Sequence, residues 1–216
     1  MAQMWTRSNE CISSIFSGLD AKRNDYIIAV GGSGDQSFAL VQYSGSVLAV
    51  DIEDHQVYHM ERMREFINKG DFKGFMKARI GDSFIYSDEP SISDLNGWEM
   101  KYGTKYFTPE IFENIGKNIG RLEIRQQEVF DAIMTEEHFN KIYLSNALEK
   151  PPLNSKPRTA FFREISKRLP KDGLIYIADG IEFYGRKSFA HSEIIVDTDL
   201  TEKVKNSWDS IVLRKI

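Results

Sequence analysis

In the stretch "YIIAVGGSGDQSFALVQYSGSVLAVD", residues 26–51, an apolar run is followed by a glycine turn, a short helical stretch, a second apolar run and an acid. This order limits the fold more than any other feature of the chain. "DYIIAV" and "SVLAVD" are apolar in their central residues, as in strands covered on both faces, and the residues between them, Ser37 to Tyr43, are predicted to form a short helix. The unit is therefore read as strand, turn, helix, strand, with an N-terminal helix over residues 8–19 placing Ile12, Ile15, Phe16 and Leu19 on one side.

The alternation continues along the chain. Residues 54–69 carry Val57, Met60, Met63 and Ile67 near helical spacing and stop at Gly70. "RLEIRQ" reads as a third strand, residues 129–137 as a helix and "FNKIYLSNA" as a fourth strand. Ser155 is placed as the cap of a helix with Pro157 in its first turn and Phe161, Ile165 and Leu169 on one face. "GLIYIAD" is a fifth strand; "AHSEIIVDT" and "DSIVLRK" are two more, with little helix expected between them. Five strands separated by helices predict a doubly wound, mostly parallel α/β sheet. The last two add a terminal antiparallel pair, for seven strands in a single domain spanning residues 1–216.

Residues 71–120 interrupt this rhythm. The segment is rich in turn residues yet carries Phe, Tyr and Trp, and a stretch so long is either functional or a small subdomain. It is expected to act as a lid or substrate-pocket insertion, with a helix from about Pro109 to Asn118 at its end.

Composition narrows the function classes. The 216 residues are 41% apolar and 12% aromatic, which suits one globular domain with a full core. A formal net charge of −4 carries no nucleic-acid signature. Cys11 is the single cysteine, so no disulfide framework or thiolate cluster is expected. No apolar run approaches the roughly 20 residues that span a bilayer. The N-terminus lacks the apolar stretch of a secretory signal, so a cytoplasmic protein without stable membrane association is expected.

The turn holds the first functional clue. Gly31, Gly32 and Gly34 let the backbone turn sharply and approach a ligand, and the following helix offers its N-terminus. Asp51 ends the second strand, where a carboxylate can accept ribose hydroxyls. This spacing suits a nicotinamide dinucleotide or S-adenosylmethionine. The dinucleotide fingerprint wants a third glycine where Ser37 stands. A hairpin closing the sheet is the habit of class I S-adenosylmethionine-dependent enzymes, so the Rossmann-like fold of class I methyltransferases is expected by analogy. In such enzymes Glu128, just past the third strand, would accept the adenine amino group, with the backbone of Val129 at the ring edge. Ser33 and Ile52, beside the turn and the acid, join the cofactor-contacting set.

Common class I methyltransferases place Asp or Glu two residues before the first glycine of the turn; here that residue is Ala29. "IIAVGGSGDQSF" instead resembles the turn of the 3-amino-3-carboxypropyltransferases of betaine-lipid synthesis, with Gly34 and Asp35 matching and Gln36 in place of Asn. "DIEDHQVYHME" keeps that family's Asp51, Gln56 and Glu61, while Glu53, Asp54 and His55 depart from it. Leu144, Ser145 and Asn146 match the end of its fourth strand, and Glu10 stands where its N-terminal segment has an acid. The resemblance covers roughly residues 8–70 and 120–180. It implies transfer of the cofactor's amino acid arm with release of methylthioadenosine, and adds Gln56, Ser145 and Asn146 to the cofactor set. The 71–120 segment is shorter than in the lipid enzymes, and no basic amphipathic helix for membrane docking is evident. A small acceptor is therefore expected, or attack by the cofactor's own amine.

The candidate catalytic residues are Asn146, the first polar side chain past strand four, with Glu149 and Tyr106 for acceptor handling. Glu10, Tyr102 and Tyr184 are further candidates for that task. His55 and His59 are four apart on a predicted helix, which is metal-ligand spacing, but no third ligand is suggested and no metal is expected. His138 and His191 carry no signal. "SNALEKPP" is not the Asn-Pro-Pro-Tyr motif of amino-directed nucleic-acid methyltransferases, which counts against that subclass. Two other functions remain open at this point: a small-molecule methyltransferase releasing S-adenosylhomocysteine, and a non-catalytic S-adenosylmethionine-binding protein.

Overall fold

A computed structural model describes residues 10–80, 106–149, 158–178, 193–204 and 210–216. Seven strands form one sheet: β1 (Tyr26–Val30), β2 (Ser46–Asp51), β3 (Leu122–Gln126), β4 (Lys141–Ser145), β5 (Leu174–Ile177), β6 (Ile194–Val196) and β7 (Ile211–Lys215). Their order is β3-β2-β1-β4-β5-β7-β6. β1 to β5 pair in parallel, and β7 enters antiparallel between β5 and β6. The order reverses between β1 and β4, so the carboxyl ends of these two strands flank the crevice where open α/β sheets bind ligands.

Eight α-helices lie among the described residues: α1 (Ile12–Gly18), α2 (Asp35–Leu40), α3 (Asp54–Lys69), α4 (Phe72–Ile80), α5 (Pro109–Asn118), α6 (Val129–Thr135), α7 (Arg158–Arg168) and α8 (Thr198–Val204). The central strands are buried on both faces, which accounts for their unbroken apolar composition. One face carries Ile27, Ala29, Val47, Ala49, Tyr143 and Tyr176 and packs on residues of α1 to α5 and α8. The other carries Ile28, Leu48, Val50, Ile142 and Leu144 and packs on α6 and α7. Neighbouring residues thus serve opposite layers, as the period of two requires.

Three elements differ from the sequence reading. α2 begins at Asp35, two residues early, because Gly34 takes φ 83° and turns the chain straight into the helix. α4 occupies the start of the segment read as turn-rich; Phe75 and Met76 are buried there, and Phe75 meets Phe107 and Phe112 edge-on at 5.1 Å. α8 fills the connection between the last two strands, where little helix was expected. It is nucleated by Asp197, whose Oδ1 accepts from Leu200 N at 2.9 Å. The helix predicted at Pro109 is present, with Thr108 Oγ1 accepting from Ile111 N and proline in its first turn. Ser155 and Pro157 lie outside the described residues.

Phe162 of α7 is fully buried against Phe161, with ring centroids 5.3 Å apart. Phe162→Ala should cost about 3–5 kcal/mol by loss of burial and a residual cavity. Urea unfolding should show a lower midpoint with an unchanged slope.

Candidate functional site

The glycine turn is clamped from three sides. Gly32 N donates to Asp51 Oδ2 at 2.8 Å, and Glu53 N donates to Asp51 Oδ1 at 3.0 Å. The buried Gln56 of α3 reaches back so that its Nε2 donates to Gly32 O at 2.5 Å. Gly31 N donates to Val50 O and Gly34 N to Gly31 O, each at 2.7 Å. Asp35 N donates to Ser33 Oγ at 3.4 Å. A Cβ on Gly34 would stand 2.8 Å from the Phe38 ring and 2.9 Å from Met60 Cγ, so the turn seats directly on α2 and α3.

Asp35, the first residue of α2, is held in a buried charged pair. Arg79 Nε donates to its Oδ1 at 3.0 Å and Arg79 Nη2 to its Oδ2 at 2.9 Å. Both side chains are buried, at 0% exposure for Asp35 and 4% for Arg79. The guanidinium also lies 4.3 Å from the centroid of the Phe107 ring. Sequence reading missed Arg79, although a signal was present. Phe72, Phe75, Met76 and Arg79 share one helical face, and a cation on an apolar stripe implies a buried anion.

Asp51 ends β2 at the crevice, half-buried. Burial pushes its carboxyl above the usual aspartate range, and the amides of Glu53 and Gly32 oppose this only in part. Ile52 beside it is 51% exposed. Gln127 N donates to Asp51 O at 2.9 Å, which ties the ends of β2 and β3 together. Glu128 then caps α6, its Oε2 accepting from Asp131 N at 3.3 Å, with Val129 buried behind it. Asp51, Ile52, Glu128 and Val129 thus lie along the β2–β3 side of the turn.

The β4 side is built differently. Ser145 ends β4 with φ 50°, a left-handed conformation uncommon for a residue with a side chain. Its register against β5 shifts between Tyr143 and Ser145. Ser145 Oγ donates to Oε1 of Glu10, which is buried just ahead of α1. Tyr143 is fully buried beside them; burial first, and then the charge of Glu10, hold its phenol far above its ordinary pKa. Asn146 follows in the turn, half-buried, and Glu149 closes the 3-10 turn Ala147–Glu149.

Other candidates fall elsewhere. The Tyr106 hydroxyl accepts from Gln42 Nε2 at 2.9 Å, past the C-terminal end of α2, whereas the glycine turn is at the N-terminal end. Burial, and then Tyr43, raise its pKa. His55 Nδ1 lies 3.7 Å from Glu53 and 3.6 Å from Asp54 at the start of α3, and His59 is buried one turn on. Among the described residues no group of three or more His, Cys, Asp or Glu side chains is arranged around a metal. Cys11 caps α1, and His138 is exposed after α6. Tyr102, Tyr184 and His191 lie outside the described residues.

Neither a family model nor a curated protein matches the sequence. Solved structures do resemble the fold. A conserved hypothetical protein from Streptococcus pyogenes is 10% identical with a TM-score of 0.52, covering 94% of each chain. A protein from Clostridium thermocellum, provisionally named an rRNA methylase, is 13% identical with a TM-score of 0.50, covering 94% of this chain and 95% of that one. An RNA methyltransferase from Salinibacter ruber in complex with S-adenosyl-L-homocysteine is 12% identical with a TM-score of 0.45, covering 94% and 87%. The fold is that of class I methyltransferases, with its mostly parallel seven-stranded sheet and terminal antiparallel pair. No described helix is long and apolar enough to cross a membrane.

Arg79→Met should cost about 3–5 kcal/mol, because it leaves the Asp35 carboxylate buried without its guanidinium. Adding Asp35→Asn should recover part of that loss. A double-mutant cycle in urea should therefore give a coupling energy well above that of an exposed pair.

Proposed function

We propose that the protein is an S-adenosylmethionine-dependent transferase that moves the cofactor's 3-amino-3-carboxypropyl group to a small acceptor, or closes it on its own amine. The observation that carries the cofactor reading is the state of the turn amides. Those of Gly31, Gly32, Gly34 and Asp35 all donate within the protein. A pyrophosphate needs such donors for itself. A phosphate-free nucleoside does not, and its ribose finds an acceptor in Asp51 at the same edge.

In this reading Asp51 takes the ribose hydroxyls. Gly31, Gly32, Ser33 and Gly34 line the sugar with backbone, and Gln56 keeps the turn in place. Ile52 packs on the adenine, with Glu128 and Val129 at its amino edge. Ser145 and Asn146 receive the amino acid arm at the β4 end. When bound, the cofactor supplies a sulfonium that activates three carbons, and positioning decides which one reacts. The γ-carbon is favoured here because the resemblance residues Asp35 and Gln56 both hold the turn, and because β1 carries Ala29 in place of an acid. Asn146 and Glu149 are assigned to the acceptor side. Tyr106 is assigned to packing, since its hydroxyl is engaged by Gln42. The fold itself is shared with a provisional rRNA methylase, and the net charge of −4 favours a small acceptor over nucleic acid.

Incubation of the protein with S-adenosylmethionine, with and without cell extract, should release methylthioadenosine, identified by mass. Release of S-adenosylhomocysteine instead would convert the assignment to methyl transfer. Binding with neither product would leave a cofactor-binding protein.

The raised Asp51 pKa adds a pH dependence. The ribose needs the carboxylate form, so affinity for S-adenosylhomocysteine should fall as pH drops through that raised value, earlier than for an exposed aspartate. Stability runs the other way. A carboxyl raised on folding contributes most below its unfolded pKa, and that contribution is lost as pH rises through the folded one. Calorimetric titrations across this range should show the loss of affinity in the unchanged protein, and weak, pH-independent binding in Asp51→Asn.

A further inference from the structure

We infer that His55 is a positioning residue for the ribose site: its imidazolium keeps the Asp51 carboxylate ionised, and so carries cofactor binding to lower pH than Asp51 alone would allow. The assignment rests on the S-adenosylmethionine reading above. Its first ground is the way β2 passes into α3. Asp51 Oδ1 accepts from the amide of Glu53, the N-cap of α3, at 3.0 Å, so the carboxylate is held at the first turn of that helix. His55 is the second residue of the same turn.

The second ground is how the ring is set. Nδ1 faces two carboxylates, Glu53 at 3.7 Å and Asp54 at 3.6 Å, both of them exposed. Nε2, at the opposite edge of the ring, is buried and meets no hydrogen-bond partner among the described residues. In the imidazolium both nitrogens carry protons, so positive charge reaches the buried edge as well. Water screens its pull on Glu53 and Asp54, whereas a half-buried carboxylate is screened much less. The charge therefore tells on Asp51, where it opposes the upward push of burial and of Glu53.

The other charged groups on the elements around α3 stand apart from this turn. Arg125 of β3 is paired with Glu123 and Glu136, and Arg79 of α4 with Asp35 of α2. His59 is buried one helical turn further along α3. Glu128 caps α6 and, like Glu53, brings negative charge.

Two measurements on the full chain test the assignment. Carbon-13 NMR of the Asp51 carboxyl, assigned with Asp51→Asn, reads its titration directly, and calorimetry with S-adenosylhomocysteine reads the site. Histidine is protonated over the acidic range in which aspartates titrate, so the charge is present where it is needed. In His55→Gln both midpoints should move to higher pH by about half a pH unit or more, as for loss of a nearby opposite charge. The loss of affinity should be confined to the acidic side, whereas damage to the fold would lower affinity at every pH. His55→Lys keeps a cation and should hold both midpoints near those of the unchanged protein. If the midpoints of His55→Gln coincide with those of the unchanged protein, or those of His55→Lys move as far as those of His55→Gln, His55 does not hold Asp51 ionised. If the carboxyl responds as expected but S-adenosylhomocysteine binds at no pH, the cofactor reading itself fails, and the ribose role of His55 with it.

Discussion

The geometry of the crevice depends on one buried pair, Asp35 with Arg79. Desolvating two charges costs several kcal/mol per ion, and only good geometry offsets it. Here two parallel hydrogen bonds of 3.0 and 2.9 Å and the face of Phe107 supply that geometry. The pair joins the start of α2 to the end of α4 and to the chain entering α5. α4 and Phe107 both lie within residues 71–120, the part of the sequence read as an insertion, so the pair ties that segment to the helix that follows the glycine turn. It has an electrostatic effect as well. An aspartate in the first turn of a helix ordinarily turns its charge toward the free amides. Arg79 instead binds both oxygens of the Asp35 carboxylate and balances its charge.

The turn itself is closed rather than open. Its amides are spent on Val50, Asp51, Gly31 and Ser33, and its Gly32 carbonyl on Gln56. Such a loop offers a surface of small residues and one carboxylate, not a cradle of donors. That distinguishes it from phosphate-binding turns with a similar glycine pattern, and hydrogen bonding makes the distinction more firmly than glycine spacing does. Ser37, buried within α2, fits the same picture, because the helix there need not approach the strand as closely as a third glycine would allow.

The parts legible in the sequence were those set by local pattern. α3 keeps the bounds its periodicity predicts, with Met60, Met63 and Ile67 inside and Gly70 ending it at φ 67°. The strands follow from apolar runs that need cover on both faces. α4 was hidden because Gly74 and the charges of Lys73, Lys77 and Arg79 weaken its apolar stripe, and the helix is held by Phe107 and Phe112 from across the insertion. α8 was hidden because its seven residues, Thr198–Val204, are mostly polar and its nucleation rests on Asp197. At the site, Asp51 and the glycines could be named from spacing. The contact between Glu10 and Ser145 could not, because 135 positions separate the two residues and only the sheet order brings them together.

That contact places the Glu10 carboxylate at the end of β4, on a segment seated by α1 rather than on the sheet itself. Where that segment lies depends on how Ile12 and Ile15 dock, and the same helix carries Gly18, where a Cβ would stand 2.7 Å from the Tyr176 ring. Tyr176 is in turn held by Ser210 ahead of β7, through a 2.7 Å hydrogen bond. The antiparallel strand that closes the sheet is thereby linked, through one hydrogen bond and one close packing contact, to the helix that leads the chain into the sheet.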